Sequence, residues 1–183
     1  MQRRMKVAAA LISGIFLLAA SLSAKAEASE EPISPEQLAR EIQSNTQFLA
    51  GKSLAKAKAL LEAYDDFAPF GAALLPNGEV KFVWAIKPGE LATPETVKLV
   101  LNSIRRALRA QADEGRILGS AVIYRYRPNG GEKTDQVNME LEYLTGFAQV
   151  LATEYEMVDD KVQFEKGATK PYEPLIFPNK AGS

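Results

Sequence analysis

The chain has 183 residues, 46% hydrophobic and 25% charged, with no cysteine and no histidine, the proportions of an ordinary globular protein built on one core. Lacking Cys and His, it is excluded from disulfide stapling, from Ser-His and Cys-His nucleophile pairs and from the usual zinc ligand sets. The formal net charge of −1 is uneven: residues 1–26 hold Arg3, Arg4, Lys6 and Lys25 and no acid, so the rest carries eighteen basic against twenty-three acidic residues, a balance that argues against nucleic-acid binding, which needs a basic surface.

Residues 1–26 have the form of an export signal. Arg3, Arg4 and Lys6 make a basic start, residues 7–22 an apolar stretch, and Ala24-Lys25-Ala26 the small-x-small pattern that a signal peptidase cuts, after Ala26. The apolar stretch is shorter than the roughly 20 residues of a membrane-spanning helix, and without cysteine there is no lipobox. The expectation is a cleaved signal, no stable membrane anchor, and a mature chain that is periplasmic or secreted. Residues 27–33 read as a polar, acidic leader.

Ser34-Pro35-Glu36-Gln37 is a helix start, with Ser34 as cap, Pro35 in the first turn and Gln37 able to reach back to the cap. Leu38, Ile42 and Leu49 mark one face. Gly51-Lys52-Ser53 then predicts a break, followed by a second helix capped by Ser53, with Leu54, Ala57, Leu60, Leu61 and Tyr64 along one stripe. Ser53-Leu54-Ala55-Lys56 also has the S-x-x-K spacing that sets a lysine amine one helical turn from a serine nucleophile. No S-x-N follows and Lys133-Thr134-Asp135 is not K-T-G, so the capping role is preferred.

Asp65 and Asp66 stop the helical pattern, Pro69 and Gly71 break it, and an apolar run folds back at Pro76-Asn77-Gly78, a hairpin of strands over 70–75 and 79–86. Lys87-Pro88-Gly89 ends it. Thr93-Pro94-Glu95 opens the longest helix, whose Val97, Val100, Leu101, Ile104, Leu108 and Ala112 recur at threes and fours up to Gly115. Arg105, Arg106, Arg109 and Arg116 lie off this stripe, in the guanidinium chemistry of a phosphate or carboxylate site, or as a solvated face complementing the helix dipole.

Three strands follow over 118–127, 136–144 and 147–156, separated by Pro128-Asn129-Gly130-Gly131 and Thr145-Gly146. In the second, Val137, Met139, Leu141 and Tyr143 alternate with Gln136, Asn138, Glu140 and Glu142, so one face is buried and the other is wet or forms a site. Residues 158–164 suggest a short further strand, and 167–183 a tail whose Tyr172, Leu175, Ile176 and Phe177 have the character to dock. The expected fold class is α+β: one domain over 34–166, order α-α-β-β-α-β-β-β, a single antiparallel sheet of about five strands with helices mainly on one face, in a profilin-like or roadblock-like layout.

Tyr64-Asp65-Asp66-Phe67-Ala68-Pro69-Phe70-Gly71-Ala72, the strand Ala121-Val122-Ile123-Tyr124, Lys133-Thr134-Asp135 and Leu141-Glu142 resemble a family of small bacterial α+β proteins of unassigned function, with a Tyr-x-x-Phe-x-Pro-Phe-Gly-Ala element and a later Lys-Thr-Asp. The resemblance spans roughly residues 54–164, departs from that family's soluble members at the signal segment, and implies a fold rather than an activity.

The function expected from these features is that of an exported, non-enzymatic binding domain for an unidentified protein partner or a small ligand, with no cofactor and no metal. Its candidate binding residues are Asp65, Asp66, Arg105, Arg109, Lys133, Asp135, Glu140 and Glu142. The alternatives are a small-ligand sensor, or a hydrolase using carboxylates or Ser53 with Lys56; no D-x-D-x-D-G calcium loop is present.

Overall fold

The computed structural model describes residues 33–127 and 135–178; residues 1–32, where the export signal is expected, residues 128–134 with Lys133, and residues 179–183 lie outside that range. The described chain forms helix α1 (Pro35–Tyr64), strands β1 (Phe70–Leu74) and β2 (Val80–Trp84), helix α2 (Val97–Asp113), and strands β3 (Gly119–Tyr126), β4 (Gln136–Tyr143), β5 (Ala148–Val158), β6 (Lys161–Phe164) and β7 (Ala168–Pro171). All pairings are antiparallel, in the order β2-β1-β3-β4-β5, with β6 and β7 side by side along the outer edge of β5. The α+β class with one open sheet holds, with seven strands rather than about five.

Helix α1 begins as its sequence dictates. Ser34 Oγ accepts from the Gln37 N–H and Gln37 Oε1 accepts from the Ser34 N–H, a reciprocal capping box with Pro35 in the first turn. The expected break at Gly51-Lys52-Ser53 does not occur. Thr46, Leu49, Ser53, Ala57, Leu60 and Leu61 form one buried stripe at threes and fours straight through the segment, and Gly51 faces open space. Burying that continuous stripe offsets the roughly 1 kcal/mol that a mid-helix glycine costs. Ser53 is therefore a helix-interior residue and not a cap. The helix ends at Asp65, which takes left-handed backbone (φ 60°) and donates its N–H to the Leu61 carbonyl.

The two helices cover opposite faces of the sheet, where the sequence pattern placed them mainly on one. Strand alternation divides the core between them. On one face α1 packs on Phe70, Ala72, Leu74, Ala121, Ile123, Val137, Met139 and Leu141. On the other, Val100, Ile104 and Leu108 of α2 meet Ala73 and Val122, joined by Ile176 and Phe177 from the chain's end. Gly71 permits that contact, because a Cβ there would lie 2.8 Å from Ile104 Cγ2. Helix α2 starts at Val97 rather than at the expected Thr93-Pro94-Glu95. A separate turn comes first, in which Thr96 Oγ1 accepts the Thr93 N–H and the Thr93 carbonyl accepts the Val97 N–H.

Turns follow their residue chemistry. Pro76-Asn77-Gly78 closes the β1–β2 hairpin, with the Leu75 N–H on the Glu79 carbonyl and Gly78 at φ 81°; Leu144-Thr145-Gly146 repeats this between β4 and β5, with Gly146 at φ 83°. Asp159 and Asp160 both take positive φ in the tight β5–β6 turn, a role that short polar side chains fill where glycine is absent. The expected tail begins instead as β7, and residues 172–178 cross the α2 face of the sheet as a strap.

Candidate functional site

The expected site residues separate into two clusters on opposite faces of the sheet. The first lies where α1 exits onto the ends of β3 and β4. Arg125 stands at the position after Ala121 and Ile123 on the α1 face, and its guanidinium bridges Asp66 Oδ1 at 3.0 Å and Asp135 Oδ2, while also donating to the Asp65 carbonyl at 3.3 Å. Arg127 adds two bonds to Asp135, at 2.8 and 3.0 Å, and Tyr155 lies beneath Arg125, 6.0 Å from ring centroid to guanidinium carbon. Asp66 and Asp135 thus do meet across the sheet end, through an arginine that the sequence reading did not single out. Its signal was present: a charged residue at apolar parity in a strand needs a partner on that face.

This cluster is electrostatically closed. Hydrogen bonds from Arg127, then Arg125, hold the Asp135 carboxyl well below the usual carboxylate range despite partial burial. Burial pushes the Tyr155 phenol up to about 12. A carboxyl depressed in the fold contributes stability that is fully present above its unfolded value, near 4, and is lost progressively as pH falls from there through the lower folded value. Asp135→Asn is accordingly expected to be roughly 1–3 kcal/mol less stable than the parent at pH 7. That difference should narrow progressively below pH 4, as urea melts at stepped pH will show.

The second cluster occupies the α2 face. Arg105 reaches from α2 to β4 and holds Glu140 at two points, 2.9 and 2.6 Å, the fork geometry in which a guanidinium binds a carboxylate most firmly. Two residues along the same strand, Glu142 is fully enclosed. Its Oε1 accepts from Tyr172 Oη at 2.8 Å and the Leu175 N–H at 2.9 Å, and its Oε2 from the Ile176 and Phe177 N–H groups, both at 2.8 Å. All four lone-pair positions of the carboxylate are thereby used. Burial, then the Glu142 charge, pushes the Tyr172 phenol strongly up. Glu142 is the pin that seats the strap, so the tail residues expected to dock do so here.

The strap and α2 enclose an open groove of about 440 Å³, lined by Leu99, Asn102, Arg105, Arg106, Arg109 and Leu175. Leu99 is 66% exposed and Leu175 45%. Arg105 is spent on Glu140, but the other two guanidinium groups are only lightly engaged. Arg106 meets Ser103 Oγ at 3.4 Å, and Arg109 meets the Leu175 carbonyl at 3.4 Å and Asp113 at 3.8 Å.

The structure also locates the residues of the hydrolase alternative. Ser53 is fully buried against the sheet, its hydroxyl without a hydrogen-bond partner, whereas the Lys56 amine lies over the rings of Phe82 and Trp84, 5.8 and 5.7 Å from their centroids. Among the described residues no group of three or more acidic side chains is arranged to hold a metal ion.

No family model, curated protein or solved structure matches the chain. Function is therefore argued from the two clusters and the groove, and the resemblance at Tyr64 to Ala72 carries no activity across.

Proposed function

We propose that this chain is an exported interaction domain that binds a protein partner across the groove between α2 and the C-terminal strap. The observation that carries this reading is the groove itself. It joins two exposed leucines to Arg106, which has no ion pair among the described residues, and to Arg109, which holds Asp113 only at 3.8 Å, on a wall fixed by the Glu142 pin and the Arg105–Glu140 fork. Exposed apolar surface flanked by arginine is the composition of protein recognition surfaces, and a preorganised wall lowers the entropy lost on association. The groove is open to solvent rather than an enclosed cavity, which suits a protein segment better than a buried metabolite. Export is supported by the basic start, apolar stretch and Ala24-Lys25-Ala26 of the first 26 residues.

The test is affinity capture from periplasmic extract with the chain beginning at Glu27. One stoichiometric protein should be recovered by the parent and by Asp135→Asn, and lost with Leu99→Glu. Equal recovery by Leu99→Glu would contradict the assignment of the surface.

A further inference from the structure

The groove's composition specifies its partner's chemistry. The chain that follows residue 26 is acidic overall, with eighteen basic against twenty-three acidic residues, so its net charge does not attract an acidic protein. Helix α2 reverses that locally. Arg106 is exposed and has no carboxylate within ion-pairing distance among the described residues, its hydrogen bond being to Ser103 Oγ. Arg109 holds Asp113 only at 3.8 Å, with both side chains about half exposed, a pair worth little against a better-placed anion. Leu99 on α2 and Leu175 on the strap line the same groove, and neither is buried by the fold. Arg109 also touches the Leu175 carbonyl, which places cationic and apolar binding elements side by side.

We infer that the groove takes an extended acidic segment of a partner protein, with leucine-type side chains interleaved with aspartate or glutamate. The apolar side chains pack between Leu99 and Leu175, and the carboxylates meet Arg106 and Arg109, where two-point guanidinium geometry favours a carboxylate. This deepens the reading that the α2–strap face is the binding surface, and rests on it. Specificity follows from the contrast between this basic stripe and the net negative charge of the chain after residue 26.

The probe is a blocked, fluorescein-labelled twelve-residue peptide of alternating leucine and glutamate pairs, titrated by anisotropy against the chain from Glu27 at 50 mM salt. Three controls accompany it: the glutamates replaced by glutamine, the glutamates replaced by lysine, and the leucines replaced by serine. The parent peptide should saturate, weaken at least tenfold with Arg106→Glu and with Leu99→Glu, and weaken several-fold at 0.5 M salt, where charges are screened within about 3–5 Å. Each control peptide should bind at least tenfold more weakly. Far-ultraviolet circular dichroism and urea midpoints of both variants should match the parent, since neither side chain is packed in the core.

Binding of the lysine or glutamine peptide as tight as the glutamate peptide would overturn the acidic assignment. Concentration-dependent dimerisation that Leu99→Glu abolishes would instead make a second copy the occupant, and binding to phosphatidylglycerol vesicles that exceeds peptide binding would make it a lipid surface. If no peptide binds while Leu99→Glu still abolishes capture of the extract protein, the partner chemistry proposed here falls and the binding surface stands. If capture too is indifferent to Leu99→Glu, both fall.

Discussion

Glu142→Ala is expected to release the strap and lower the stability of the domain by about 3–5 kcal/mol, the range for breaking a buried charged network. Two responses compete when the carboxylate is removed. If the strap stays, three backbone N–H groups and the Tyr172 hydroxyl remain buried without an acceptor, at about 1–3 kcal/mol each. If it leaves, those donors return to water, and the cost becomes the burial of Ile176 and Phe177, which are 1% and 9% exposed, at roughly 1.5–3 kcal/mol each. The second response is cheaper, so it prevails. Amide hydrogen exchange should then show protection lost at Leu175, Ile176 and Phe177 while β3 and β4 keep theirs. Unchanged protection at those three amides would mean that the strap is held by something other than the pin.

Phe70→Ala is expected to cost a similar about 3–5 kcal/mol, the range for emptying a buried aromatic position. Phe70 is fully buried, stacks on Trp84 at 4.9 Å, and meets Phe67 and Phe82 edge-on at 5.5 and 5.9 Å. It sits on β1, the strand that links the β2 edge to the rest of the sheet, within the core cluster that α1 covers. Trp84, the only tryptophan, reports the change directly. The urea midpoint followed by its fluorescence should fall with the slope unchanged, and the native emission should shift as its stacking partner is lost.

The region around Phe70 was the most legible part of the sequence. Local chemistry alone sets the Ser34 cap, the glycine turns at Gly78 and Gly146 and the strand alternation of β4, and each stands in the fold as expected. What failed depended on tertiary context. Gly51 reads locally as a stop, yet a continuous buried stripe overrides it. The division of helices between two faces depends on which parity of β1 and β3 each helix selects, and both parities are apolar in Phe70-Gly71-Ala72-Ala73 and Ala121-Val122-Ile123. The short strand expected over 158–164 forms as β6 at Lys161–Phe164, whereas β7 is short, polar and exposed, and gains its order by pairing with the long β5.

The candidate site was legible in the same partial way. The charged chemistry of Arg105, Glu140 and Glu142 was visible, but not that these residues serve to build and fix a wall. Arg105 and Glu140 neutralise each other, Glu142 is consumed by the strap, and Asp66 and Asp135 are consumed by Arg125 and Arg127 on the far face. Leu99 and Arg106 line the groove; Leu99 was not among the expected residues, and Arg106 was read only as part of an arginine group suited to phosphate or carboxylate, or as a solvated face. The leucine is off the buried stripe of α2, and its meaning appears only when the strap brings Leu175 beside it.

If recognition occurs on the α2–strap face, amide chemical-shift mapping of the isotope-labelled domain on titration with the captured partner will locate it there. Perturbations should concentrate at Leu99, Asn102, Arg106, Arg109 and Leu175. Perturbations that instead gather at Asp66, Arg125 and Asp135, leaving α2 and the strap unmoved, would contradict it.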